Sequence, residues 1–232
     1  MFTKSAKFYD ALFHFKNYKK ESDNLREIIL SYKPDARTLL DVACGTGKHL
    51  QFISEFFDAE GLDYSKELLD IAVERCPGVI FHQGDMTDFS LNKKFDVITC
   101  LFSSIGYVRT PENLNKAVRC FSDHLNKNGL LIIEPWFSPE TYWVDRLTAN
   151  FYDEPDLKIA WMYKSGSKDN VSVIDIHYLA ATPEEISHFT EHHEIGLFTN
   201  AEYEDSFKRA GFDVSYDKEG LCGRGMYIGV KS

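Results

Sequence analysis

Short, mostly apolar runs alternate with stretches of helical period along the first 135 residues. The runs at 38–42, 59–63, 79–83, 95–102 and 129–134 are too short for helices and read as strands. Between them the spacing predicts helices over 48–57, from Ser65 to Cys76, where Pro77-Gly78 ends it, and from Thr110-Pro111 to Leu125. Such strands, alternating with helices, predict a parallel sheet covered on both faces, with ligands at the carboxyl ends of the strands. Ahead of them, Tyr9, Phe13, Phe15 and Tyr18 precede a helical pattern at Leu25, Ile28 and Ile29, and Phe8, Phe13 and Phe15 are expected in the core.

The rhythm breaks after Pro135. Residues 171–179, and much of 187–198, alternate with period two, which describes antiparallel strands with one solvated face. Lys168-Asp169-Asn170 is expected to turn between the first two of them. This inserted sheet is expected to stand over the ligand site and set acceptor specificity. Thr199-Asn200-Ala201-Glu202 then has the form of a capping box opening a helix that runs to Ala210-Gly211. A closing strand pair, 212–217 and 225–231, flanks Leu221-Cys222-Gly223-Arg224.

The chemistry starts at the first strand. Asp41-Val42-Ala43-Cys44-Gly45-Thr46-Gly47 carries the chain from strand to helix through two glycines, so a ligand can approach bare main chain and the N–H groups beyond it. A dinucleotide fingerprint would place a third glycine where Leu50 stands. Asp63, at the end of the second strand, sits where a carboxylate can accept two ribose hydroxyls. Gly84-Asp85-Met86 follows the third strand. Taken singly, Asp63 also reads as a helix cap and Asp85 as a turn former.

In combination these motifs resemble the class I S-adenosylmethionine-dependent methyltransferases. The resemblance implies an α/β fold: a Rossmann-like, doubly wound, mostly parallel seven-stranded sheet with the antiparallel sheet inserted. The cofactor-binding domain is then 1–135 with 199–232, and 136–198 is a substrate-binding subdomain. The cofactor expected is S-adenosyl-L-methionine. Ala43, Gly45 and Gly47 offer it main chain, Asp63 accepts from its ribose, Asp85 from the adenine amino group, and Met86 packs on the ring. Tyr18, His49, Tyr64 and Leu101 complete the expected cofactor set. The acceptor lone pair must be aimed at the methyl group in a dry site, and an amine must be unprotonated when it attacks. Tyr9, Ser103, Ser104 and Tyr107 are the candidates to orient it or relay its proton, by positioning more than by strong base catalysis, given a tyrosine pKa of about 10.

Charge narrows the acceptor. The formal net charge is −10, with no basic run, which disfavours nucleic acid and leaves any anionic substrate to a few local cations. Arg224, between two glycines, is such a cation, able to grip a phosphate bidentately. His177, His188, His192 and His193 do not converge on one face of a strand, so no metal site is expected. The five cysteines have no C-x-x-C pair, Met1–Lys7 leads into no apolar segment, and no run reaches spanning length. A cytoplasmic protein without membrane association or processing is expected, with homodimer formation left open.

Phe102-Ser103-Ser104-Ile105-Gly106-Tyr107, Glu134-Pro135-Trp136-Phe137-Ser138-Pro139-Glu140 and Gly223-Arg224-Gly225 lie outside the cofactor motifs. Over nearly the whole chain they resemble the nucleotide-diphosphate aminosugar N-methyltransferases, which make dimethylamino sugars. That resemblance implies a dTDP-linked amino sugar as acceptor, methylated twice on one amine. It implies Arg224 on the pyrophosphate, Tyr9, Ser104, Tyr107 and Glu140 near the sugar, and Trp136 among the substrate-binding residues. A methyltransferase for another small amine or hydroxyl, and a cofactor-binding regulatory protein without turnover, are the competing readings.

Overall fold

Seven strands form the main sheet of the computed structural model, which describes residues 4–232. The expectation of an unprocessed start rests partly on Met1, Phe2 and Thr3, which lie outside the described residues. In chain order the main-sheet strands are β1 (Thr38–Val42), β2 (Asp58–Asp63), β3 (Ile80–Gln83), β4 (Phe95–Cys100), β5 (Leu125–Ile133), β10 (Phe212–Asp217) and β11 (Met226–Lys231). Across the sheet they run β10-β11-β5-β4-β1-β2-β3, with only β11 reversed. The order turns back on itself between β1 and β4, and a crevice outside the strand ends at such a switch point is where ligands bind in open α/β sheets.

Both faces of this sheet are dry. Leu40, Val42 and Ile98 join one core with Phe121, Tyr203 and Phe207, while Leu39 and Val97 join another with Leu25, Ile29 and Leu50. Burial on both sides is why these strands read as apolar runs rather than alternating ones. The helices that cover them are α2 (Tyr18–Tyr32), α3 (Leu50–Ile53), α4 (Lys66–Arg75), α5 (Pro111–Asp123) and α6 (Asn200–Arg209), with α1 (Tyr9–Leu12) near the start. Ser65 and Thr110 cap α4 and α5, and Thr199 and Glu202 close a full capping box on α6, which contributes about 1 kcal/mol.

Four expectations change. The helix over 48–57 shortens to α3, because the bonds from Glu55 to Phe52 and Phe56 to Ile53 tighten its end into the turn that delivers Asp58 to β2. β5 starts at Leu125 rather than Gly129, since Leu125 already pairs with Phe95 ahead of a register shift. Phe15 is 62% exposed instead of buried. Asp169-Asn170 does form a hairpin turn, with φ of 52° and 59°, but between the second and third inserted strands.

The inserted sheet has four antiparallel strands, β6 (Leu147–Glu154), β7 (Leu157–Lys168), β8 (Val171–Ala181) and β9 (Ile186–Gly196). The β6 strand went unread because its apolar residues Leu147 and Phe151 lie on the outer, exposed face of an edge strand. On the inner face, Ile159, Tyr178 and Ala180 pack with Phe8 and Leu12, so the N-terminal segment is bound to the insertion. The insertion in turn docks on the turn after β4. A Cβ on Gly106 would fall 2.3 Å from Ile195 and 3.2 Å from Trp136, so a hydrogen is all this contact admits.

Candidate active site

The turn after β1 runs with Ala43, Gly45 and Gly47 in the left-handed region, at φ of 58°, 57° and 74°. A Cβ on Gly45 would meet no atom within 4 Å, because that side of the turn opens into the crevice. Asp63 stands behind it, 5% exposed, and its carboxylate accepts from Gly45 N and Ser65 N, each at 2.8 Å. Asp63 therefore braces two turns at once. Burial raises its pKa and those hydrogen bonds pull it back only partly.

Three hollows meet around this turn. The innermost is lined by Asp41, Ala43, Gly45, His49, Leu101 and Tyr18. The next, shared through Tyr9, Gly45 and Ser104, holds Asp63, Tyr64, Met86 and Tyr107. It continues past Tyr64, Met86 and Tyr107 into an outer crevice that contains Asp85. Asp85 is exposed and accepts from the amide and hydroxyl of Thr87, a turn-forming role it combines with its place on the crevice wall. Asp63 and Asp85 thus border one continuous cleft.

Tyr9 is clamped over the glycine turn by its neighbour. Asp10 accepts from Thr46 Oγ1 at 2.8 Å, pairs with Lys48 at 3.6 Å and also takes a bond from Arg75. Beneath, His49 Nε2 lies 2.9 Å from Glu21 and its ring meets Tyr18 edge-on. Burial would raise Glu21, but hydrogen bonds from His49 and Lys16 outweigh it and hold the carboxyl below its usual range. Burial pushes Tyr9, Tyr18 and Tyr107 well above the ordinary phenol range, so all three are neutral hydroxyls at physiological pH.

On the far side of Tyr9 a fourth hollow, of about 250 Å³, is lined by Phe102, Trp136, Trp161, Tyr163, Tyr178 and Arg224, together with Ser104 and Tyr107. Phe102 and Ser103 are both left-handed, at φ of 49° and 64°. That strained corner is held by Glu134, which accepts from Phe102 N at 2.8 Å, and by Ser103 Oγ, which donates to the Pro135 carbonyl at 2.7 Å. Arg224 Nη1 donates to Ser103 Oγ at 3.1 Å, and its guanidinium lies 5.1 Å from the Trp136 ring and 5.5 Å from Phe102. Trp136 is fixed by its Nε1, which donates to Ser172 at 3.1 Å. Glu140, by contrast, is exposed and lines none of these hollows.

Several lining residues were not singled out in the sequence. Asp41 is 3% exposed, accepts from Thr99 Oγ1 at 2.8 Å, and is pushed up to about 6, by burial first and also by the charges of Asp63 and Glu134. Its place at the end of the opening strand was the available signal. Trp161, Tyr163, Tyr178 and His193 belong to the insertion, where only strand parity hints at which residues face inward. His193 does so while His192 faces out toward Asp175 at 2.8 Å, as opposite parity requires.

The charge of the inner crevice decides which cofactor fits. Two buried carboxylates, Asp41 and Asp63, line it, and Lys48 beside them is paired with Asp10, so its field is negative. A pyrophosphate would be repelled there, whereas a ligand carrying a sulfonium and an ammonium is matched. A bare glycine turn, a carboxylate at the next strand end and this negative field define an S-adenosylmethionine-dependent methyltransferase.

Residues 39–129 match a family model described as a methyltransferase domain. The chain is 40% identical to dTDP-3-amino-3,4,6-trideoxy-alpha-D-glucopyranose N,N-dimethyltransferase of Streptomyces venezuelae, over 93% of this chain and 92% of the relative. Its structure matches Streptomyces venezuelae DesVI with a TM-score of 0.93 and 37% identity over the full length of both chains. It also matches S-adenosylmethionine-bound CalS10, an amino pentose methyltransferase from Micromonospora echinaspora, with a TM-score of 0.88 and 31% identity, covering 100% of this chain and 98% of that one. The chain belongs to the dTDP-aminosugar N,N-dimethyltransferase family. Among the described residues, no helix is long and apolar enough to cross a membrane.

The raised Asp41 has a consequence for stability. The folded state keeps this proton to pH about 6, whereas the unfolded chain loses it near 4, so stability falls as pH rises through that window and stays lower above it. Asp41→Asn is expected to gain about 3 kcal/mol at pH 7.5, little at pH 4, and to bind cofactor more weakly. Urea titrations at the two pH values check it. Equal gains at both would show that the carboxyl's ionisation is not the cause.

Proposed function

We propose that this enzyme transfers the methyl group of S-adenosylmethionine to the amine of a nucleotide-diphosphate-linked amino sugar, and does so twice. The observation that carries the reading is Arg224. It is a lone guanidinium held against Ser103, Trp136 and Phe102 in the aromatic hollow that opens, past Tyr9, onto the glycine turn. In a protein of net charge −10, that is a place built for a local anion. The identity to a dTDP-aminosugar dimethyltransferase supports the same acceptor.

When bound, the cofactor supplies an electrophilic methyl carbon on sulfur. The chain's own residues do the rest. Main chain at Ala43, Gly45 and Gly47 receives the methionine portion, Asp63 takes the ribose hydroxyls on its remaining lone pairs, and Asp85 and Met86 take the adenine. His49, Tyr18 and Leu101 close the inner end and Tyr64 the outer. Tyr9, Ser104 and Tyr107 surround the junction of the hollows and orient the amine, whose lone pair forms the new N–C bond as the C–S bond breaks. Trp136 and Arg224 hold the nucleotide sugar, with residues 136–198 as the acceptor-binding subdomain. Glu140, exposed and outside these hollows, is assigned no contact in this reading. We place the enzyme in the cytoplasm, where its five unpaired cysteines stay as thiols.

Isotope-labelled cofactor incubated with amino-sugar nucleotides, simple amines and phenols tests this. Label on the amino-sugar nucleotide, in a mono- and then a dimethylated product, is expected. Label confined to non-nucleotide acceptors would remove the proposed substrate.

A further inference from the structure

Double methylation of one nitrogen creates a proton problem. Each transfer leaves the nitrogen as an ammonium with no lone pair, so a proton must depart before the second attack. Tyr107, beside the amine in the proposed function, cannot serve as an ionised base, since burial keeps its phenol protonated. It can pass a proton only if something takes its own.

Such a partner stands behind it. Tyr107 Oη lies 2.9 Å from His193 Nδ1, and in the tautomer that carries its proton on Nε2, toward Glu191, the hydroxyl donates to the ring nitrogen. His193 is 3% exposed, and its Nε2 lies 3.9 Å from Glu191 Oε2. Glu191, 6% exposed and two residues back on the same inward face of β9, is fixed by bonds from Ser5 N at 3.2 Å and Lys4 N at 2.9 Å. Tyr107 and His193 line both the acceptor hollow and the outer crevice. They stand between the mostly apolar acceptor hollow and the more polar outer crevice.

We infer that His193 is a positioning residue through which Tyr107 exports the amine proton, with Glu191 holding the imidazole and stabilising it when charged. In this step the ammonium N–H proton moves to Tyr107 Oη while the Tyr107 proton moves to His193 Nδ1. The nitrogen regains its lone pair, Tyr107 ends as it began, and the imidazolium releases its proton to water in the outer crevice. Nothing is oxidised or reduced. The inference rests on the proposed amine acceptor.

Among the described residues, the groups facing His193 include Tyr107 from the turn after β4, Glu191 and His192 on β9, and Asp175 on β8, with Tyr178 of β8 near Tyr107. Burial lowers His193 to about 4 and Glu191 opposes that. The ring is therefore neutral and ready to accept, and its imidazolium is a passing state.

The test measures initial rates from pH 6.5 to 9.5 for the wild type, Tyr107→Phe, His193→Asn and the double variant, with labelled cofactor and the amino-sugar nucleotide. Each single variant is expected to lower kcat at least tenfold near pH 7. The deficit should shrink as pH rises and the amine arrives already neutral, and the double variant should be no slower than the worse single one. A purely structural role would give deficits that do not depend on pH. Such deficits, the absence of any, or losses that multiply in the double variant would overturn the relay. If His193→Asn does not fold, the pH profile of Tyr107→Phe decides alone by the same criteria. No transfer by the wild type to this substrate would speak against the acceptor assignment, whereas wild-type transfer with pH-independent variants would speak against the relay only.

Discussion

Asp63→Ala is expected to weaken S-adenosylmethionine binding about a hundredfold, as measured by calorimetry on folded protein at low temperature. Two charge-assisted hydrogen bonds to a ribose are lost, and at 1.5–3 kcal/mol each, about 3 kcal/mol is the conservative sum. The variant should also melt earlier. The carboxylate accepts from Gly45 N and Ser65 N at 2.8 Å each, and an alanine leaves both amides buried without an acceptor, costing about 1–3 kcal/mol apiece. Asp63→Asn should rescue little. One amide oxygen can serve one of the two N–H groups, and the amide nitrogen then points a donor at the other. An unchanged dissociation constant in a folded Asp63→Ala enzyme would remove the ribose assignment.

Arg224→Ala is expected to raise the KM for the nucleotide sugar about 50-fold, on the order of 2–3 kcal/mol for a lost bidentate contact with phosphate. Cofactor affinity should hold, because Arg224 lines the acceptor hollow and not the hollows around Gly45. Arg224→Lys should recover only part of the loss. A lysine brings one point charge where the fork spans two oxygens, and it cannot stack as the guanidinium does over Trp136 and Phe102, at 5.1 and 5.5 Å. A simple amine without phosphate separates this from general damage to the hollow, since its rate should be the same in wild type and variant. An unaltered nucleotide-sugar KM would end the phosphate role of Arg224.

The two residues differ in how far the sequence alone could place them. Asp63 was legible because its position follows from local order: apolar run, glycine turn, helix, apolar run, carboxylate. Parallel strands must present their ends on one side, so motifs that each follow a strand converge without further information. Arg224 was visible as an isolated cation between glycines. What it faces depends on the reversed strand β11 and on Ser103 at another strand end, 121 positions away in the chain.

The insertion was harder to read for a physical reason. Its strands have one wet face, but the inward positions carry Trp161, Tyr163, Tyr178 and His193 and the outward ones Leu147, Phe151 and Met162, so polarity does not separate the two sides. Alternation shows that strands exist and leaves open which side meets the site. Glu140 shows the same limit in the other direction. Its motif lies next to Trp136, yet the loop after β5 turns its carboxylate out to solvent.

What the sequence by itself determined was the doubly wound sheet, the glycine turn, the carboxylates at successive strand ends and the starts of α4, α5 and α6 at Ser65, Thr110 and Thr199. All of these follow from local propensity, periodicity and the rule that short apolar runs must be buried. Only the tertiary structure decided that Asp10 pins Tyr9 over the turn, that Asp41 is raised by burial and then by the charges of Asp63 and Glu134, and that Tyr107 meets His193 across 86 positions of chain. Desolvation and long-range pairing depend on what packs against a residue, and that is a property of the folded chain.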